Sequence, residues 1–438
     1  MKKEIPYVLS VAEKVKLLRK AKNIVQGELA DAILSSSTKI SLTENGTCKY
    51  SDDELEAIKK YFGMPDMPLT EFECAAFKKR LHHWHSLIGN GRAAAEAEEL
   101  YKKISPITVT DPFDFDLPTL FRLFEVIYLR CKGDVNDAKA KFDFLKSVLD
   151  DMNAEHLFYF YSISGWFDFL DENVEGALEH YKKALEITQL NKGQFKVRFD
   201  ILHYNIANCY TWLDMPYRAT FFIFEVRRTC DVKLSESFDL ELDAMLASNY
   251  IKINKLDEAE KLLNKCLIQA EGLNYGLMKA IIFYELGLLN KKLSNLNKAV
   301  EYFDRALDIH EMGSTYHLWA LHHKIRCVIE SRKFAKSERM LQQAKKLYDA
   351  KKEDLILFES LEHLLIISRG SSRFHIESVK YIEAVTIPYL LKYFDYFEAL
   401  DYCTLLIKHH IASRSRRVHY ISTLGLKCSI YDKIFTNY

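Results

Sequence analysis

The chain has 438 residues, a formal net charge of zero, 48% hydrophobic residues and 28% charged ones. That length exceeds one ordinary core and predicts several domains or a repeat array. The balance excludes a disordered chain, and also one coated with charge for indiscriminate nucleic-acid binding. Eight prolines and 15 glycines are scattered along the chain, which suits long helices joined by short connections. No apolar run reaches the length of a membrane span, so no membrane is expected as a partner. Glu4, Glu13 and Lys14 interrupt any signal-peptide core. The nine cysteines are odd in number and include no C-x-x-C. They read as small buried apolar residues of a reducing, cytoplasmic compartment.

Val11, Val15 and Leu18 recur at helical spacing and predict a first amphipathic helix. A second short helix fits Gln26 to Ile33. Ser35, Ser36 and Ser37 offer N-cap hydroxyls to a third helix running to about Asn45, and Gly46 can take positive φ and end it. Ser51-Asp-Asp-Glu54 is a capping box that opens a fourth helix through Tyr61. Residues 1–64 hold eleven Lys/Arg and nine Asp/Glu, a mild positive balance.

Residues 15–46, VKLLRKAKNIVQGELADAILSSSTKISLTENG, resemble the helix-turn-helix of the phage-repressor superfamily. Arg19 and Glu44 stand where that family has an ion pair between its first and third helices. Leu29 and Ala30 match the pair at which two helices cross closely, and Ile40 matches the core anchor of the recognition helix. The resemblance implies that the third helix lies in the major groove of double-stranded operator DNA. Ser37, Thr38 and Leu42 would then reach base edges, and Gln26, Ser36, Lys39 and Asn45 would lie near phosphates. Three positions depart from the family. Leu34 replaces the turn glycine, and Ser35 and Thr43 replace apolar residues. They predict a distorted turn and leave open a module that no longer binds DNA, and the short polar side chains of Ser37 and Thr38 predict weak base discrimination.

From about residue 70 onward a small residue is followed four later by a large apolar one, and three later again by a small or apolar one. The copies begin at Ala97, Ala138, Ala177, Ala219, Ala259, Ala299, Ser337 and, weakly, Ser378, in steps of 38 to 42 residues. A fixed period marks a solenoid of stacked units. A small residue also sits twelve before the alanine at Gly165, Ala207, Ala247 and Gly287. ALEHYKKALEI (177–187) and AVEYFDRALDI (299–309) resemble the second helix of a tetratricopeptide repeat, with a period longer than the usual ~34 residues. In such repeats the first helix lines a concave groove. That places Arg130, Tyr204, Asn208, Trp212, Tyr284, His322 and Arg326 toward the inside. Asn208 stands out because an amide both donates to and accepts from an extended peptide backbone, although it can equally bridge neighbouring helices. Arg130 and Arg326 suit a peptide carboxylate or a surface ion pair, and the aromatics suit ligand contact or packing between repeats. The stretch from Tyr389 departs from the repeat and reads as a cap or dimerisation element. Arg414, Arg416 and Arg417 suit a helix end.

No phosphate-cradling glycine loop, G-x-S-x-G or H-E-x-x-H occurs, so no enzyme is expected. His82, His83 and His85 lack residues to complete a coordination set. His322-His323 and His409-His410 are adjacent and point to different faces, so neither a metal nor another cofactor is expected.

The expected fold is all-α, with a helix-turn-helix domain over 1–66, a right-handed tetratricopeptide-like solenoid over 67–388 and a helical cap over 389–438. This architecture resembles the Rap/Rgg/NprR/PlcR/PrgX (RRNPP) superfamily of peptide-pheromone receptors, most closely its larger NprR-like members. The resemblance implies a cytoplasmic quorum-sensing transcription regulator. It would be a homodimer on operator DNA, switched by a short signalling peptide in the repeat groove. The alternative is a protein-binding regulator, response-regulator binding or phosphatase-like, with a vestigial DNA module.

Overall fold

The computed structural model describes residues 11–63, 71–88, 93–108, 116–193, 195, 198–230, 235–312, 314–348, 352–370, 375–393, 395–412 and 417–435. Arg414 and Arg416 lie outside these residues, as does the expected boundary at 66/67. Among the described residues every regular element is helical. The chain forms two compact units, Met1–Val197 and Arg198–Tyr438.

The first unit opens with α1 (Val11–Ala21), α2 (Gln26–Ala32), α3 (Ser37–Glu44) and α4 (Asp52–Phe62). Val15, Leu29, Ala30, Ile33, Ile40 and Ile58 close a small core beneath them. There follow α5 (Glu71–Leu87), α6 (Ala94–Thr108), α7 (Asp116–Lys132), α8 (Val135–Ser147), α9 (Ala154–Leu170) and α10 (Val174–Leu190). The second unit holds α11 (Phe199–Trp212), α12 (Pro216–Thr229), α13 (Glu236–Lys252), α14 (Leu256–Gly272), α15 (Gly276–Lys292), α16 (Leu296–Leu307), α17 (Thr315–Glu330), α18 (Phe334–Leu347), α19 (Lys352–Arg369), α20 (His375–Tyr381), α21 (Ile387–Lys392), α22 (Tyr396–Ala412) and α23 (Arg417–Phe435).

From α7 to α18 the helices pair antiparallel, and the periodic residues explain why. Ala138, Ala177, Ala219, Ala259 and Ala299 are all fully buried on the second helix of a pair. On the first helix Gly165 and Gly287 let an aromatic ring lie directly on the backbone. A Cβ at Gly165 would stand 2.8 Å from the Tyr181 ring, and one at Gly287 would stand 2.5 Å from the Phe303 ring. Each pair then turns through a residue in the left-handed region. Gly133, Glu172, Asp214, Asn254, Ser294 and Arg332 have φ from 56° to 91°. The next amide in each case donates back to the first helix, from Asp134, Asn173, Met215, Lys255, Asn295 and Lys333, at 2.8–3.2 Å. This is the Schellman closure, and it recurs in register with the repeats. In the second unit the first helices α11, α13, α15, α17 and α19 touch in succession, whereas α12, α14, α16 and α18 hardly meet. The stack therefore bends toward its first helices.

The weak last copy departs from the α-helix. Ile382 to Thr386 form a π-helical turn between α20 and α21. Pro388 has no N–H to donate one turn back, so the chain re-registers its hydrogen bonds there. None of the nine cysteines is in a disulfide, but only Cys209, Cys266, Cys327 and Cys403 are buried. The expectation of uniform burial fails at Cys131 and Cys428, which face solvent. Among the described residues no helix is long and apolar enough to cross a membrane.

Placing a methyl at Gly287 forces the Phe303 ring away from its helix. Gly287→Ala is expected to destabilise the protein by about 1–3 kcal/mol, as overpacked cores do, despite alanine's better helix propensity. Thermal or urea unfolding measures this, and an unchanged midpoint would show that the ring has room to move.

Candidate functional site

The first candidate site is the exposed face of α3. Arg19 on α1 donates to both oxygens of Glu44, at 2.7 and 2.8 Å, and to the carbonyl of Ile24 at 2.8 Å. Both side chains are nearly buried, so this two-pronged pair fixes α3 against α1. The hydroxyl of Ser36 caps α3 by accepting from the Lys39 amide at 3.1 Å. The expected capping box at Ser51 and Glu54 is present, and Gly46 takes φ +77°.

The expected distortion of the turn does not occur. Leu34 adopts φ +54°, the conformation that a glycine would supply, with 96% of its surface exposed. Ser35 donates to Glu54 at 2.9 Å, and the Lys39 ammonium reaches the same oxygen at 2.7 Å. Burial raises the Glu54 pKa, but Lys39, the Ser51 amide and the two hydroxyls outweigh it and hold the carboxyl at about 2. Thr43 is fully buried, and its hydroxyl has no hydrogen-bond partner.

Of the seven residues expected at DNA, Ser37, Thr38, Leu42 and Asn45 are exposed. The other three are engaged within the protein. The Gln26 amide donates to Glu44 at 2.7 Å, Ser36 serves as the cap and Lys39 pairs with Glu54. Sequence reading missed the contact that holds α1 from outside the module. Lys16 and Lys20 both reach Asp151, in the turn after α8, at 2.8 Å. Burial pushes the Asp151 carboxyl up, but the two ammonium groups prevail and hold it below the usual range.

The second candidate site is the first-helix face of the second unit. Tyr204 and Tyr275 donate to the two oxygens of Glu241, at 3.1 and 3.2 Å. Asn208 is half-buried one turn further along α11, with no hydrogen-bond partner for its amide among the described residues. Trp212 is 42% exposed and meets Tyr316 edge-on. Tyr284 packs among Phe303, Tyr316 and His323. Burial and the neighbouring acids push the Tyr204 and Tyr284 phenols far above their ordinary value, so both stay protonated. These residues form a face of aromatic rings with one free amide, suited to an extended chain.

Three expected groove residues lie elsewhere. Arg130 belongs to the first unit, on α7, with its Nε buried and unpartnered. Arg326 is buried and pairs with Glu398 and Glu330, so its charge is already met. His322 is fully buried beside Trp319. The expected divergence of His322 and His323 also fails. Their rings lie 5.0 Å apart, and both approach Glu398.

Residues not singled out in the sequence border the same face. Lys252 pairs with Asp214 at 2.5 Å, and Asp214 also accepts from the Phe397 amide at 3.0 Å. The start of α22 thus sits against the end of α11. Glu285 is buried with one oxygen unpartnered. Burial pushes its carboxyl up to about 7, against the opposing pull of Ser248 and Lys252. It is the one acid in the run AIIFYELGLLN, which is the signal that could have found it.

Two measurements follow from this geometry. Leucine at positive φ costs roughly 1 kcal/mol, which glycine avoids. Leu34→Gly should raise the stability of the module by about that amount in denaturant unfolding, and a loss would show that the leucine is needed. Glu285 binds its proton more tightly folded than unfolded, so it costs stability as pH rises from about 4.5 toward 7. Glu285→Gln should therefore be about 2–3 kcal/mol more stable than the parent at pH 8, with the gap closing by pH 5. Equal gaps at both pH values would refute this.

No family model matches the chain. It is 21% identical over 234 residues to Regulatory protein RapD of Bacillus subtilis (strain 168), covering 52% of this chain and 65% of RapD. It is 24% identical over 283 residues to Transcriptional activator NprA of Geobacillus stearothermophilus, covering 64% of this chain and 67% of NprA. The chain thus spans about two thirds of the length of the curated relatives it matches. Its fold is that of NprR in the crystal structure with its cognate peptide NprX, with TM-score 0.61 and 18% identity, covering 81% of this chain and 99% of that one. With its helix pairs in fixed register, the chain has the tetratricopeptide-like helical-repeat fold of NprR and is similar in sequence to RapD and NprA.

Proposed function

We propose that the protein is a cytoplasmic quorum-sensing transcription regulator. It binds double-stranded operator DNA through residues 1–66 and is switched by a short signalling peptide held by the repeats of 67–388. Residues 389–438 cap the solenoid and support a homodimer, which reads a near-palindromic site. The observation that carries the DNA half is α3 itself. It is locked from behind by Arg19 and Glu44, capped by Ser36, and free to present Ser37, Thr38, Leu42 and Asn45. The unpartnered amide of Asn208 among Tyr204, Trp212 and Tyr284 supports the peptide half. NprA is named a transcriptional activator, and NprR was crystallised with its cognate peptide. The peptide acts by binding one arrangement of the repeats better than another, and shifts the population by that difference alone.

A second reading has one specific observation in its favour. Gln26 and Lys39, two expected phosphate contacts, are spent on Glu44 and Glu54. A protein-binding regulator, acting on a response regulator or phosphatase-like, would keep such a module for its shape only.

Genome-wide co-purification of DNA, with and without spent culture medium, separates the two. Discrete sites whose occupancy follows the medium are expected, with affinity falling steeply with salt as phosphate contacts require. Absence of enriched sites under both conditions would favour the protein-binding reading. Asn208→Ala should weaken the response to the peptide at least tenfold and leave DNA binding without peptide unchanged. An unaltered response would remove Asn208 from the site.

A further inference from the structure

One buried cluster of ligand-capable side chains adjoins the second candidate site, where the His323 ring packs against Tyr284. His322 and His323 on α17 and Glu398 on α22 each bring a ligand atom within 4.8 Å of the others. Their exposures are 0%, 5% and 4%. Both ring nitrogens of His322 and the Nδ1 of His323 have no hydrogen-bond partner. Buried polar atoms in folded proteins are normally satisfied, so three orphaned imidazole nitrogens in one place call for a ligand. Two imidazoles and one carboxylate form a donor set suited to a borderline-soft divalent ion, with a fourth position open.

The cluster already holds cations from the protein itself. The Lys291 ammonium lies 3.1 Å from one Glu398 oxygen, and Arg326 pairs with the other. Both have a second acid within reach. Lys291 is 3.9 Å from Asp401, and Arg326 pairs with Glu330 at 3.0 Å and lies 3.8 Å from Asp401. An incoming ion can therefore take Glu398 without stranding either cation.

We propose that His322, His323 and Glu398 form a divalent transition-metal site of zinc type, whose place Lys291 fills when no metal is bound. Because α17 carries two ligands and α22 the third, the ion joins the repeat array to the helices that follow it.

The test uses the full chain, stripped by chelator and titrated with Co²⁺ while visible absorption is recorded. Zn²⁺ then competes for the same site. One equivalent with the d–d bands of a four- or five-coordinate ion is expected. His322→Asn and His323→Asn should each weaken binding at least tenfold with unchanged far-ultraviolet dichroism. Lys291→Met should tighten it at least tenfold, a gain that no misfolded variant would show. His83→Ala, at an exposed imidazole, should change nothing. The proposal is overturned by no binding, by binding only in Lys291→Met, or by binding indifferent to His322 and His323, which means an adventitious ion only.

Discussion

The close approach of paired helices is the constraint on which this molecule rests. An aromatic ring packs closely against a residue that has no side chain, Tyr181 on Gly165 and Phe303 on Gly287. Interiors packed to crystal density leave no slack at such a contact. The interlock sets the spacing within each pair, and that spacing sets where the next first helix can dock. The aromatic face that includes Tyr204, Trp212 and Tyr284 is thus a by-product of glycine and alanine positions buried between the helices.

What was legible in the sequence was local or strictly periodic. Arg19 and Glu44 were identifiable because a known helical module fixes their spacing. Ser51 and Glu54 were identifiable because a capping box is three residues long. The repeat register was identifiable because small residues return every 38 to 42 positions. The turns were not. Gly133, Glu172, Asp214, Asn254, Ser294 and Arg332 share a backbone conformation and no side-chain chemistry. The fold demands a left-handed φ there and pays for it with whichever residue is present, because the Schellman hydrogen bonds are made by backbone. Leu34 misled for the same reason, since the family's glycine supplies a conformation that leucine can also reach.

The candidate site was legible in outline and misread in detail where charges pair over long separations. For Arg326 the sequence left a peptide carboxylate and a surface ion pair both open, because its buried partner Glu398 is 72 residues away. Lys16 and Lys20 gave no sign of Asp151, 131 residues beyond Lys20. Such pairs leave no periodic trace. They also show how the first helices are held, with α3 fixed by Glu44 and α1 by Asp151 in the turn after α8.

The start of α22 has a further consequence. Its Phe397 amide meets Asp214 across 183 residues, and Glu398 meets Lys291 across 107. An open stack of repeats frays from its ends, because each unit touches only its neighbours. Here the start of α22 is hydrogen-bonded to the turn of the first pair of its own unit, so a contact of long sequence separation ties the two parts of the stack together. The second unit should therefore melt in one step, and its slow search for distant partners should govern how fast it folds.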